Sequence, residues 1–196
     1  MGKSHVLLDA DGVLLNWELG LKQFMQSHPV HGHTETINEH AYDLASRYNM
    51  SVSDVNDLVQ EFHTSASFEH LQPLPGAVSA VKHLAEWFPL VVITACGTHP
   101  QTAHMRRKNL EHVFGAVFEQ VWLTDTFEEK NQYLAQYAPS YWVEDHGGNA
   151  ELGLKFGHTC MLVNAPHNQA DWAHEVIRVD NLLEAALIML SQSRPR

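Results

Sequence analysis

The 196-residue chain has little cysteine: two residues, Cys96 and Cys160. That excludes the disulfide framework on which small secreted folds rely. It also has little positive charge. Twelve Lys and Arg stand against 23 Asp and Glu, a formal net charge of −11. So acidic a body repels a polyphosphate backbone, and polymeric nucleic acid is not an expected partner. No apolar run approaches the ~18 residues that cross a bilayer, so no membrane partner is expected either. The apolar stretch at 6–15 is broken by Asp9 and Asp11, which the core of a secretion signal would not tolerate. Position 6 is Val, where a myristoylation site carries Ser or Thr. The expected location is cytoplasmic.

Apolar residues are abundant. A content of 44% hydrophobic against 18% charged supports a real core and excludes disorder. Six apolar runs read as strands, at 5–10, 90–95, 117–123, 141–144, 159–164 and 176–179. Most are continuous rather than alternating, as in strands covered on both faces. Helical patterns lie between them. Val78, Val81, Leu84, Ala85 and Phe88 mark one buried helix face, punctuated at its start by Pro75 and Gly76. Segments 100–113, 129–137 and 182–190 read as three more. This alternation predicts an α/β fold, a Rossmann-like parallel sheet in a three-layer core.

Segment 17–72 breaks the rhythm. A parallel crossover needs a dozen or so residues, and roughly 80 separate the first two strands. Helices are expected over 17–27, over 36–48 with Thr36 and Glu39 in capping-box spacing, and over 53–62 with Val55, Leu58, Val59 and Phe62 on one face. The expected organisation is a core domain of 1–16 and 73–196 with an all-helical domain, 17–72, inserted after the first strand. Residues 29–33 would be a loop within it, and 73–76 the return linker.

Polar residues collect at the C-terminal ends of the strands, where open parallel sheets bind ligands. The first strand ends in Asp9-Ala10-Asp11-Gly12 and the second in Thr94-Ala95-Cys96-Gly97. Asp125 to Lys130 follows the third, and Glu144-Asp145-His146-Gly147-Gly148 ends the fourth. Mg²⁺ takes a few oxygen ligands and keeps waters. Asp9 and Asp145 can supply carboxylates, and Asp11 a backbone carbonyl. A cation, Thr94 and Lys130 can neutralise a phosphoryl group that Asp9 would otherwise repel by about 4 kcal/mol at ~4 Å and an effective dielectric of ~20. Asp11 can protonate a leaving oxygen and later activate water. Gly12 lets the backbone turn sharply after the acids.

In order and approximate spacing, these four segments resemble the motifs of the haloacid dehalogenase superfamily. The resemblance covers 5–165, with the helical insertion in the place of that superfamily's first-type (C1) cap. It implies Asp9 as a nucleophile that forms an aspartyl-phosphate, and Asp11 as general acid and base. Thr94 would bind a phosphoryl oxygen, and Lys130 would stabilise Asp9 and the phosphate. Mg²⁺ would be held by Asp9, Asp11 and Asp145, with Glu144 holding waters of the metal shell. Because Asp11 is present, the implied chemistry is phosphate transfer rather than dehalogenation.

The implied activity is hydrolysis of a small phosphorylated metabolite. One form of it is a 5'-nucleotidase, a type that starts alike and reads its substrate with cap aromatics. Trp17, Phe24, Tyr42, Tyr48, Phe62 and Phe68 are the candidates here. Asn16, Trp17, Ala95 and Cys96 would line the crevice between cap and core and touch the substrate. The segment Thr94-Ala95-Cys96-Gly97 departs from the nucleotidase pattern, which keeps sugar phosphates open. A phosphomutase or phosphotransferase acting on sugar phosphates is the alternative. A signalling receiver would carry its acid pair on the first strand and its phosphorylated Asp on a later one, the reverse of this order. A silent binding protein would not need every role filled.

Other features have plainer readings. Arg106-Arg107-Lys108 reads as a solvated helix face that could attract an anionic substrate. His28, His31, His33 and His40 invite a zinc reading, with His31 and His33 at a plausible pair spacing, but no matching Cys or acid motif stands at ligand spacing beside them, and a solvated loop is simpler. His146, beside the acid pair, is a candidate to touch the site. Cys96 reads as a buried, inert thiol.

Overall fold

The computed structural model describes residues 5–28, 35–125 and 129–193. Six strands form one sheet in the order β3-β2-β1-β4-β5-β6, every pairing parallel. They are β1 (Val6–Leu8), β2 (Leu90–Thr94), β3 (Phe118–Leu123), β4 (Tyr141–Glu144), β5 (Thr159–Val163) and β6 (Ile177–Val179). Each lies within one or two residues of its expected bounds.

Alternate residues of the strands serve two apolar layers, because successive side chains point to opposite faces. Val6, Leu8, Leu90 and Val92 belong to one buried cluster; Leu7, Val91, Ile93 and Trp142 belong to the other. Each fully buried aliphatic side chain stabilises the fold by about 1.5–3 kcal/mol.

Among the described residues, four helices occupy the insertion: α1 (Trp17–Ser27), α2 (Leu44–Tyr48), α3 (Val52–His63) and α4 (Ala66–Glu69). The remaining helices are α5 (Ala77–Ala85), α6 (Pro100–Phe114), α7 (Lys130–Leu134), α8 (Gly147–Leu154) and α9 (Leu182–Ser193). Helix α1 has its expected bounds, and α3 starts one residue early because Ser51 caps it by accepting from Asp54 N. Helix α7 ends three residues before the expected 137. Helix α8 escaped the pattern reading, since Gly147 and Gly148 at its start look like a turn.

The helix expected over 36–48 is not there; α2 covers its last five residues alone. Asp43 is the true cap, accepting from Ala45 N and Ser46 N. Arg47 then folds back, donating from Nε to Ala41 O and from Nη2 to Glu39 O. Its own carbonyl accepts from Ile37 N and Asn38 N. Those bonds hold 37–43 irregular, and the Thr36/Glu39 spacing loses to them.

The insertion shares its apolar interior with the sheet. Leu21, Phe24, Tyr48, Phe62 and Phe68 belong to the same buried cluster as Val6 and Leu8. Asn109 Nδ2 on α6 donates to Leu71 O at 3.0 Å, and Gln101 Nε2 to Thr64 O at 3.0 Å. Among the described residues, no helix is long and apolar enough to cross a membrane. The loop 29–33, with His31 and His33 of the zinc reading, lies outside the described residues, as do 126–128. Of the other two histidines of that reading, His28 Nδ1 lies 2.9 Å from Phe24 O and His40 Nδ1 lies 3.1 Å from Pro166 O.

Candidate active site

Asp9 follows β1 directly and is locked to the neighbouring strand by its N–H, which donates to Val143 O at 3.0 Å. The chain then doubles back. Leu14 N and Leu15 N both donate to Ala10 O, and Gly12 N donates to Leu15 O. Gly12 has φ +80°, and a Cβ at this position would overlap the Asp145 carboxylate. A side chain there is excluded twice, by backbone strain and by the acid it would displace.

Lys130 opens α7 and is fully buried. Its Nζ lies 3.0 Å from Asp9 Oδ1 and 2.6 Å from Glu144 Oε1. Glu144 is saturated with donors. Oε1 also accepts from Asn149 Nδ2 at 2.9 Å, and Oε2 accepts from the N–H groups of Asp145 and His146 at 2.8 and 2.9 Å. Asp145 Oδ2 lies 3.3 Å from His167 Nε2, while its backbone carbonyl accepts from Asn168 Nδ2 at 2.7 Å. Carboxylate oxygens of Asp9, Glu144 and Asp145 all lie within 4.8 Å of one another.

The charges there do not balance. Three carboxylates face one ammonium. Burial and the Glu144 charge push the Asp9 carboxyl well above its usual range, with Lys130 opposing. Burial pushes Asp145 up to about 6. Burial would raise Glu144 as well, but Lys130 and the hydrogen bonds to it outweigh that and hold it below the usual range. Lys130 would be lowered by burial, yet Asp9 and Glu144 raise it and keep it charged.

On the other side of Asp9 stands Asp11. Both of its oxygens contact Arg106 Nη2, at 2.7 and 2.6 Å. This corrects the reading of Arg106 as part of a solvated face: it is completely buried, whereas Arg107 and Lys108 are exposed. Its guanidinium lies over the Phe68 ring, 4.3 Å from the centroid. Burial raises the Asp11 carboxyl and Arg106 counteracts it.

Thr94 is buried at the end of β2, with Ala95 half-buried and Cys96 buried after it. Burial pushes the Cys96 thiol up, as expected of an inert one. Asn16 Oδ1 is taken up in capping α1, where it accepts from Leu19 N at 3.1 Å. Trp17 Nε1 donates to His63 Nε2 at 3.0 Å. The His63 ring also bonds the Cys96 backbone, and burial, then Arg106, push it down to about 3. Trp17, His63 and Cys96 thus tie the insertion to the loop after β2.

Of the six aromatic candidates, Phe24, Tyr48, Phe62 and Phe68 are buried in the insertion's own packing. Tyr42 reaches the acids. Its ring lies 4.5 Å from His146 and 5.2 Å from His167, centroid to centroid. Burial, and then the charges of Asp145, Glu144, Asp9 and Asp11, push its phenol up. His146 therefore borders the site as expected. Sequence reasoning missed Arg106, His63, Asn149 and His167. Arg106 stood in a basic run with nothing to single it out, and His167 sits in a loop after β5 that carries no motif.

No protein-family model matches the chain. An uncharacterized 32.4 kDa protein of Enterobacteria phage T4, encoded in the Gp30-rIII intergenic region, is 23% identical over 180 residues, which is 90% of this chain. The chain spans 59% of that protein's length. Among solved structures, a haloacid dehalogenase-like family hydrolase from Streptococcus pneumoniae superposes with a TM-score of 0.71 at 14% identity, covering 98% of this chain and 99% of that one. CbbY from Rhodobacter sphaeroides, in a mutant complexed with xylulose-(1,5)bisphosphate, gives 0.62 at 14% identity, covering 95% and 99%. D,D-heptose 1,7-bisphosphate phosphatase from B. bronchiseptica, complexed with magnesium and phosphate, gives 0.58 at 13% identity, covering 97% and 99%. The fold of this chain is therefore that of the haloacid dehalogenase-like hydrolases.

Proposed function

We propose that this chain is a Mg²⁺-dependent phosphomonoester hydrolase that acts on a small phosphorylated metabolite through an aspartyl-phosphate on Asp9. The observation that carries the proposal is the buried group of Asp9, Glu144 and Asp145 around the single ammonium of Lys130. Three negative charges against one positive leave a deficit that a divalent cation fills, and an all-oxygen donor set suits Mg²⁺. Asp9, Asp145 and the backbone oxygen of Asp11 would hold the ion. Glu144, whose acceptor positions are filled by protein donors, fixes Lys130 and the loop that carries Asp145. When bound, the ion supplies positive charge for the phosphoryl oxygens.

The protein's own residues do the rest. Asp9 attacks phosphorus, the bond to the leaving oxygen breaks, and Asp11 gives its proton to that oxygen. Asp11 then takes a proton from water, whose oxygen attacks the phosphoryl group and frees Asp9 and orthophosphate. Lys130 opposes the protonation of Asp9 that burial favours, and holds its carboxylate in place. Thr94 donates to a phosphoryl oxygen. The crevice bounded by Trp17, Ala95 and Cys96 receives the rest of the substrate, and Asn16 holds the helix that carries Trp17.

Sugar phosphates are the favoured substrates over nucleotides. Four of the six aromatic candidates are buried, so few aromatic faces are left to stack on a base. The two neighbours with sugar bisphosphates in their names support the same choice, which also admits a mutase or transferase acting on sugar phosphates.

The test is an assay of purified protein on sugar phosphates, nucleoside monophosphates and an aryl phosphate, with and without Mg²⁺. Asp9→Asn is expected to lose at least about 10⁴-fold in turnover. Undiminished activity in that variant, or hydrolysis indifferent to Mg²⁺, overturns the proposal.

A further inference from the structure

Arg106 belongs to none of the four sequence motifs, yet it is the residue bonded to Asp11. We infer that Arg106 is a positioning residue for Asp11: it aims the acid/base carboxyl at the leaving-group oxygen, so its importance grows with the basicity of the leaving group. The inference rests on the phosphatase reading above.

The pair has an unusual geometry. A well-formed Arg–carboxylate pair engages two nitrogens in parallel. Here both Asp11 oxygens meet Nη2, while Nε and Nη1 are buried without a hydrogen-bond acceptor. The Cys96 thiol beside the guanidinium is a weak acceptor at best. Leaving buried donors unmet costs about 1–3 kcal/mol each, so an apolar side chain would serve packing better at this position. The cost points to a task, and Asp11 is the group within reach.

The surroundings fix the guanidinium. Phe68 of the insertion covers its face, and Asn109, one turn further along α6, is tied to Leu71 O. Asp11, in contrast, keeps 23% of its side chain exposed. Both oxygens of the carboxyl are held by one nitrogen, and part of the side chain still opens to solvent. Arg106 itself stays protonated and touches no reacting atom.

General acid catalysis is worth about 10²–10⁴-fold where the leaving oxygen is a basic alkoxide. A 4-nitrophenolate departs without a proton. Loss of aim is therefore selective in a way that general loosening of the fold is not. The experiment compares kcat/KM on glycerol phosphate and on 4-nitrophenyl phosphate for the wild type, Arg106→Gln and Arg106→Lys. Arg106→Gln should fall about 10²-fold on the alkyl ester and less than about 5-fold on the aryl ester. Arg106→Lys keeps the charge without the fork, and should show the same inequality in smaller measure even if the glutamine variant does not fold. Equal losses on both esters overturn the inference.

A crystal structure of either variant decides the positioning without any assay. An Asp11 side chain turned away from its present place supports it, and one left in place overturns it. A wild type that hydrolyses neither ester removes the phosphatase reading, and the leaving-group effect with it, whereas an active wild type with equal losses in the variants removes the Arg106 inference alone.

Discussion

On the β4 side of the rim, Asp9, Glu144 and Asp145 share one buried ammonium; on the insertion side, Asp11 has a guanidinium of its own. The first side is short of positive charge, and burial is the main cause that raises both Asp9 and Asp145. The second side is matched, and its neighbour His63 is kept neutral. The two therefore answer acid in opposite senses. Native Asp145, at about 6, takes up a proton that the unfolded chain, at 3.8, still lacks, so its contribution to stability grows as pH falls from about 6 towards 3.8. Native His63, at about 3, refuses a proton that the unfolded chain accepts below 6.5, so stability is lost as pH falls from 6.5 towards 3. The deficit is where the proposed divalent cation would sit; on the matched side the protein supplies its own cation, Arg106.

The contrast can be broken at several points. Lys130→Met should cost the most, about 3–5 kcal/mol of unfolding free energy in urea, because it leaves buried acids uncompensated. A cost below about 1 kcal/mol would mean that the deficit side does not depend on its ammonium. Next comes the ion itself. Mg²⁺ at a hundred times its Kd should stabilise the protein by about 2.7 kcal/mol near pH 8, and by less below about pH 6, where Asp145 holds a proton. Thermal melts that rise equally at both pH values would contradict this.

The histidine side gives a smaller signal. Between about pH 6 and 4, the wild type should lose about 1 kcal/mol per pH unit relative to His63→Gln. Parallel urea curves would show that His63 is not held neutral. The smallest expected effect belongs to Trp17→Phe, which removes the indole donor to His63 and should cost about 0.5–1.5 kcal/mol in a thermal melt. No cost at all would mean that this link between insertion and core is dispensable.

The deficit side was the legible one. Asp9, Lys130, Glu144 and Asp145 each sit at a strand end or helix start, and the strands announce themselves as continuous apolar runs. A cation at a helix N-terminus, as Lys130 is, is unfavourable without an anion beside it, and Asp9 and Glu144 are those anions. The matched side could not be read in the same way. Arg106 meets Asp11 across 95 positions, and the helix that carries it buries Thr102, Arg106 and Asn109, a polar stripe invisible to a search for apolar periodicity. Tyr42 was one aromatic among six, and its place near the acids depends on the irregular loop that Asp43 and Arg47 build where a helix was expected. The comparisons speak to the fold, which the strand pattern had already indicated; the roles of the side chains rest on their geometry.

The register of β1 has a consequence for biosynthesis. Leu8 pairs with Val92 on one side and with Val143 on the other. Translation delivers Asp9 well before the strand that leads to Glu144 and Asp145. Until that fourth strand is made, β1 lacks its neighbour on that side and Lys130 lacks Glu144. The group of Asp9, Lys130, Glu144 and Asp145 can therefore be complete only after β4 has joined β1.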